Sequence, residues 1–232
     1  MNIVITGAAR GIGKAIAEKF AAEGNILFLC ARNKETLEAT AAALRKQFVA
    51  CMVHTMVADL SSKANADAFA DFCLQKDVPD ILVNNAGGYR PGNILEENDG
   101  GLEEMMNNNL YSAYYLTKKL APLMVKNGDG HIFNICSIAS LKAYDNGGSY
   151  SISKFAMNGF SQNLRHELKT TGVKVTSVFP GAVFTDSWAG FDNSKHRIME
   201  ASDIAAMILA CTKLSAAAVS EEIVMRPQLG DL

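Results

Sequence analysis

Ile3-Val4-Ile5-Thr6-Gly7-Ala8-Ala9-Arg10-Gly11-Ile12-Gly13 carries a short β-branched run straight into a turn built on glycines. Such a run, ended by turn residues, predicts a buried strand followed by a helix that begins near Gly11. Glycines in a first βα turn let the backbone bend tightly and approach a pyrophosphate, while the amides at the helix start offer it partial positive charge. Gly7, Gly11 and Gly13, with Ile12 between the last two, fit that role. Their spacing is G-x-x-x-G-x-G rather than the generic G-x-G-x-x-G, so the set alone is equally consistent with an ordinary tight turn.

Working outward, the same alternation repeats. Apolar runs at Ile26–Cys30, Met52–Val57, Ile81–Val83, His131–Cys136, Val173–Phe179 and Glu222–Met225 are each separated by room for a crossover helix. With Ile3–Ile5 they predict seven parallel strands covered on both faces, the doubly wound α/β arrangement that right-handed crossovers favour. A chain of 232 residues, 49% of them hydrophobic, suits one large core, and residues 1–232 are expected to form a single domain. The long irregular stretches, Asn84–Asp99, Ser137–Gly148 and Pro180–Arg197, all follow carboxyl ends of predicted strands, where an open sheet builds its ligand site.

Composition narrows the partners. A formal net charge of −2 offers no concentrated basic patch for nucleic acid or an anionic membrane, so a small molecule is the expected ligand. No apolar segment approaches the ~20 residues that span a bilayer, and the chain opens on a strand-like run rather than a leader, which predicts a cytoplasmic protein. Cys30, Cys51, Cys73, Cys136 and Cys211 are odd in number and widely spaced, without histidines at metal-ligand spacing; they read as reduced thiols, and no metal site is expected.

The end of the second strand should select the cofactor, because an acid there would bind the ribose hydroxyls and an arginine would accommodate a 2′-phosphate. The sequence reads Cys30-Ala31-Arg32-Asn33, and Arg10 adds a second guanidinium beside the same position, which favours NADP(H) over NAD(H), with NAD(H) still open. The competing reading is that both arginines are solvated surface charges. Asp59-Leu60 and Asn84-Asn85-Ala86-Gly87 end the third and fourth strands, where an adenine edge and a ribose would lie. Asp59 could instead cap a helix from Ser61, and the Asn-Gly stretch could be a plain turn.

Tyr150 and Lys154 lie one helical turn apart, downstream of Ser137 at the end of the fifth strand. A phenol is a poor proton donor or acceptor at neutral pH, since its ordinary pKa is about 10. Residues at i and i+4 share a helix face, so Lys154 is expected to hold charge near the Tyr150 oxygen and lower that pKa; a shift of about three units would be worth about 4 kcal/mol. Tyr114 with Lys118 and Tyr115 with Lys119 satisfy the same spacing, but sit inside a long predicted helix, Leu102–Lys126, where such stripes are more often core or interface.

Taken together, Thr6–Gly13, Asn85-Ala86-Gly87, Asn109, Ser137, Tyr150-x-x-x-Lys154 and Pro180-Gly181 occur in an order and spacing that resemble the short-chain dehydrogenase/reductase family over nearly the whole length. The resemblance implies a Rossmann-type fold and an active-site quartet of Asn109, Ser137, Tyr150 and Lys154. It implies a nicotinamide-side loop at Pro180-Gly181-Ala182-Val183-Phe184-Thr185, and it matches Arg10 to a basic residue of NADP-dependent members. Tyr150 would exchange the proton with a carbonyl or alcohol oxygen, Ser137 would hold that oxygen, Lys154 would bind the nicotinamide ribose, and Asn109 would hold a water linking Lys154 to solvent. Asn107, Asn108 and Asn109 are consecutive, and Asn109 is chosen because Leu110 follows it, as in the family pattern.

Tyr89, Tyr144, Phe184, Trp188 and Phe191 on the three long loops are expected to line an apolar substrate pocket, with Gly190 in a lid that orders on binding. Lys142, Lys195 and Arg197 lie near enough in sequence to meet a charged substrate. Family members commonly pair through the helices corresponding to Leu102–Lys126 and Ser151–Thr170, which implies a homodimer or homotetramer. The rivals are a 3-oxoacyl-carrier-protein reductase, alike at every residue above, and a dinucleotide-sensing protein without catalysis, in which the Ser-Tyr-Lys set would usually be damaged.

Overall fold

The structure is a computed structural model that describes residues 1–188 and 190–231. In chain order it contains β1 (Asn2–Thr6), α1 (Gly11–Ala22), β2 (Ile26–Ala31), α2 (Lys34–Gln47), β3 (Met52–Val57), α3 (Lys63–Leu74), β4 (Ile81–Asn84) and α4 (Gly101–Met106). After these come α5 (Ser112–Asn127), β5 (Gly130–Ile135), α6 (Gly148–Leu168), β6 (Val173–Pro180), β7 (Val183–Phe184), β8 (Met199–Glu200), α7 (Ala201–Thr212) and β9 (Glu222–Met225).

Seven strands form one parallel sheet in the order β3-β2-β1-β4-β5-β6-β9. Because side chains alternate along a strand, each strand feeds both faces. Ile3, Ile5, Leu27, Leu29 and Val83 pack with Ile16 and Phe20 of α1 and Ile204 and Ile208 of α7. Val4, Phe28, Leu82 and Ile132 pack on the opposite face with Phe69 of α3 and Leu116 and Leu120 of α5. This is the doubly wound sheet expected from the apolar runs, although the edge strands are less enclosed: Met52 and Val57 of β3 and Val224 of β9 are exposed. The order reverses between β1 and β4, so the loops at their carboxyl ends diverge and leave a crevice there.

Four local features depart from expectation. The helix predicted over Leu102–Lys126 is divided by a π-helical turn at Asn107–Tyr111. That turn brings the Asn109 side chain inward to meet Gly88 and Ser153, bonds that sequence periodicity cannot register. The helix expected from Ser151 begins at Gly148, which places Tyr150 in its first turn. Asp59 does not cap a helix from Ser61; α3 starts at Lys63 after Ser62, and the Asp59 carboxylate closes the preceding turn by accepting from Ser61 N at 3.1 Å. The Pro180–Arg197 stretch also contains the small sheet β7–β8, pairing Val183 with Met199.

Candidate functional site

The crevice is built from two halves. In the first, β1 ends at Thr6 and the chain turns through Gly7 and Gly11, whose φ values of +64° and +55° favour glycine. Thr6 Oγ1 accepts from the backbone amides of Asn85 (2.9 Å) and Ala86 (2.8 Å), and Asn85 Nδ2 donates to the carbonyls of Thr6 (2.9 Å) and Gly7 (3.2 Å). The glycine turn and the end of β4 are thereby tied into one unit. A Cβ at Gly13 would run into Gly7 O and Asn85 Nδ2, so only bare backbone fits between them. Helix α1 has no side-chain cap at its start and no acid in its first turn. Bare peptide facing an uncompensated helix N-terminus suits the pyrophosphate of a dinucleotide.

The residues expected to choose between cofactors flank this turn. Arg32 is exposed at the end of β2, and neighbouring Asn33 caps α2 by accepting from Thr36 N at 2.9 Å. Arg10 pairs with Asp186 at 3.0 Å, both side chains exposed. Asp186 follows Thr185, whose methyl lies against Gly11: a Cβ there would stand 3.2 Å from Thr185 Cγ2. The glycine turn and the Pro180–Thr185 loop therefore face each other across the crevice. Gly181 N donates to Met225 O at 2.8 Å, and Val183 is buried. Leu60 is buried beneath the exposed Asp59.

In the second half, Ser137 leaves β5 at 8% exposure and accepts from Ala139 N at 3.1 Å. Its hydroxyl lies beside the Tyr150 phenol and acts to lower that group's pKa. Lys154, one turn along α6, is buried with Nζ 5.9 Å from the Tyr150 ring centre, and donates to Ile135 O at 2.9 Å. Of the three consecutive asparagines, Asn109 is the buried one. Its Oδ1 accepts from Gly88 N at 2.7 Å, and its Nδ2 donates to Gly88 O at 3.1 Å and to Ser153 Oγ at 2.8 Å. Ser153, absent from the sequence reading, thus ties the π turn to α6. The two decoy pairs lie apart: Lys118 sits over Tyr114, and Lys119 pairs with Asp71 at 2.9 Å.

The electrostatics correct one expectation. Lys154 does not bring the Tyr150 pKa down here; burial pushes the phenol above its ordinary value, and the neighbouring Ser137 hydroxyl opposes this only in part. Burial also holds the Lys154 ammonium below its usual value. The physical reason is that both groups are stripped of water while Lys154 Nζ is directed to a β5 carbonyl.

Among the expected pocket residues, Tyr89 meets Tyr150 edge to face at 4.9 Å, and Tyr144 joins them, its phenol pushed up by burial and by the two neighbouring tyrosines. Trp188 and Phe191 contact each other at 5.4 Å, whereas Phe184 is exposed on β7. Gly190 has φ of +90°; Ala189, between it and Trp188, lies outside the described residues. Arg197 is committed to the C-terminal tail, donating to Gly230 O (2.9 Å) and Asp231 O (3.1 Å). Glu97 accepts from Ser149 at the start of α6. Neither Glu97 nor Asp186 carries a local sequence signal, since their partners lie far along the chain.

Known proteins resemble this chain over nearly its whole length. The family model for short chain dehydrogenases matches residues 1–195. A sepiapterin reductase of Chlorobaculum tepidum is 33% identical, over 99% of this chain and 97% of that protein. An alcohol dehydrogenase of Thermococcus sibiricus, solved with 5-hydroxy-NADP, superposes with a TM-score of 0.91 at 26% identity, covering 100% of this chain and 98% of the other. The L-sorbose reductase of Gluconobacter frateurii, solved with NADPH and L-sorbose, superposes with a TM-score of 0.87 at 26% identity, covering 97% and 94%. None of the helices described is long and apolar enough to cross a membrane. The chain belongs to the short-chain dehydrogenase/reductase family and is an NAD(P)-dependent oxidoreductase.

Proposed function

We propose that this protein is an NADP(H)-preferring reductase of a small carbonyl compound, running reversibly toward the secondary alcohol, and that Ser137, Tyr150, Lys154 and Asn109 carry the chemistry. The observation that supports this most strongly is the meeting of Ser137 and Tyr150 above buried Lys154, across a crevice from a glycine turn that only bare backbone can occupy.

The bound nicotinamide would supply or accept the hydride. Ser137 would donate a hydrogen bond to the carbonyl oxygen and hold it within reach of Tyr150. Tyr150 would give its proton to that oxygen as the carbon is reduced, and take it back in the oxidative direction. A phenol held above its ordinary pKa by burial is protonated at neutral pH, the state that reduction requires. Lys154 would hold the ribose and pass protons onward, with Asn109 fixing the loop at Gly88 and a water on the path to solvent.

Cofactor contacts are assigned to Gly7, Arg10, Gly11, Ile12, Gly13, Arg32, Asp59, Leu60, Asn85, Ala86, Gly87, Pro180, Gly181, Val183 and Thr185, besides Tyr150 and Lys154. Preference for NADP(H) rests on Arg32 and Arg10 with no acid at the end of β2. The NADP analogue and NADPH held by the two solved relatives support it. Tyr89 and Tyr144 form the substrate wall beside Tyr150, with Phe184, Trp188 and Phe191 carried by the loop opposite. Residues 1–232 are taken as one domain of a cytoplasmic protein with five unpaired thiols, pairing with its own copies through the exposed Tyr111, Tyr114, Ile152 and Phe155 of the π turn, α5 and α6.

The test is to follow NADPH and NADH absorbance separately against ketones, diketones and acyl thioesters. NADPH-linked reduction of a free ketone is the expected result, with the NADPH preference lost in Arg32→Ala. A wild-type preference for NADH would defeat the cofactor assignment, and activity confined to acyl thioesters would transfer the reading to a 3-oxoacyl-carrier-protein reductase.

A further inference from the structure

We propose that Glu97 is a positioning residue for the reacting phenol: its carboxylate caps α6 across the substrate crevice and sets both the seat and the local field of Tyr150. The inference rests on the role proposed for Tyr150.

Helix α6 begins at Gly147-Gly148, which offers no side chain to satisfy its first amides. Glu97, fifty-two residues away, supplies the missing acceptor: it takes the Ser149 amide at 2.8 Å and the Ser149 hydroxyl as well. The space for it exists because position 148 is glycine at φ +38°; a Cβ there would run into Glu97 Oε1 and Gly92 O. Gly92 and Gly101 are similarly tight, their added Cβ atoms meeting Glu97 Cγ at 2.9 Å and Glu97 Oε2 at 3.2 Å. A second bond, from Gly92 N to Asn146 O at 3.0 Å, fastens the same two loops. The loop that carries Glu97 also carries Tyr89, which presses edge-on against Tyr150.

Tyr150 follows Ser149 directly, so the cap acts on the backbone that aims the phenol, while Asn109 grips the helix one turn later through Ser153. An anion at a helix N-terminus also offsets the positive end of the helix. Neutralising it leaves Tyr150 in a more positive field, where the phenolate forms more readily. The charged and titratable groups in this field are Arg90 beside Glu97, itself paired with Glu104 at 2.9 Å, and Tyr89, Tyr144, Cys136 and Lys154 around Tyr150.

Glu97→Gln keeps an acceptor without the charge, and Glu97→Ala removes both. The ionisation of Tyr150 is read in the cofactor-free protein as phenolate absorbance against a Tyr150→Phe blank, and separately as the alkaline limb of kcat/KM. In Glu97→Gln it should move to lower pH by about half a unit. In Glu97→Ala, kcat should fall about tenfold while the KM for NADPH stays within about twofold, and Glu97→Gln should recover part of the loss. A Tyr150 ionisation unmoved in Glu97→Gln overturns the proposal even if melting shows the helix weakened, because a plain cap would do only that. Should the wild type reduce no carbonyl compound, the functional reading fails while the absorbance titration still decides the role of Glu97.

Discussion

The two walls of the crevice are held by different means. At the glycine turn, Gly7 and Gly13 fit only as bare backbone, and the Thr6 hydroxyl and the Asn85 side-chain amide are each held by two backbone groups. At the substrate end, the loops are joined by long-range side-chain contacts: Glu97 to Ser149, Arg10 to Asp186, Arg197 to the C-terminal tail. The first wall is rigid because Gly13 leaves no room for a side chain and the Thr6 and Asn85 side chains are each pinned by two backbone partners; the second can be retuned residue by residue without disturbing the sheet.

Breaking the rigid wall should cost most. Gly13→Ala places a methyl against Gly7 O and Asn85, and NADPH affinity should drop by more than about a hundredfold, a loss of about 3 kcal/mol, measured by nucleotide fluorescence titration with melting as the folding control. Thr6→Val leaves the Asn85 and Ala86 amides without their acceptor, and stability should fall by about 3 kcal/mol in denaturant unfolding, most of it through this one oxygen.

An effect that appears only in acid should come from His131, far from either wall. Burial holds its pKa down at about 3 against an ordinary 6.5, and its Nε2 meets Thr176 Oγ1 at 2.7 Å. Below pH 6.5 the unfolded chain takes up a proton that the folded one refuses until about pH 3, so this contribution is present above 6.5 and lost as pH falls through that window. His131→Gln should flatten the acid limb of stability by up to about 1 kcal/mol per pH unit in unfolding titrations, leaving the crevice unaffected.

The smallest belongs to the adjustable wall. Asp186 competes with any phosphate for Arg10, but both side chains are exposed and solvent screens the pair. Asp186→Asn should tighten NADPH binding only about two- to fivefold, and less in high salt. An effect as large as that of Gly13→Ala would erase the contrast between the walls.

What the sequence disclosed follows the same division. All seven sheet strands announced themselves as apolar runs, and the Ser137-Tyr150-Lys154 set and the glycine turn were visible because each depends on short spacing. The π turn that buries Asn109, the start of α6 at Gly148 and the Glu97 cap were not visible, because each is decided by a partner distant in sequence. The direction of the Tyr150 shift is not legible for a related reason: helical spacing reports that Lys154 is near, but not that both groups are desolvated and that the ammonium is bonded to Ile135 O.

The central claim is that the Tyr150 hydroxyl is the proton donor beside a bound dinucleotide. Its most direct test is a single-turnover measurement of NADPH oxidation by Tyr150→Phe beside a separate titration of NADPH binding. The rate should fall about a thousandfold or more with affinity changed less than about threefold. Retention of most of the wild-type rate would contradict the account.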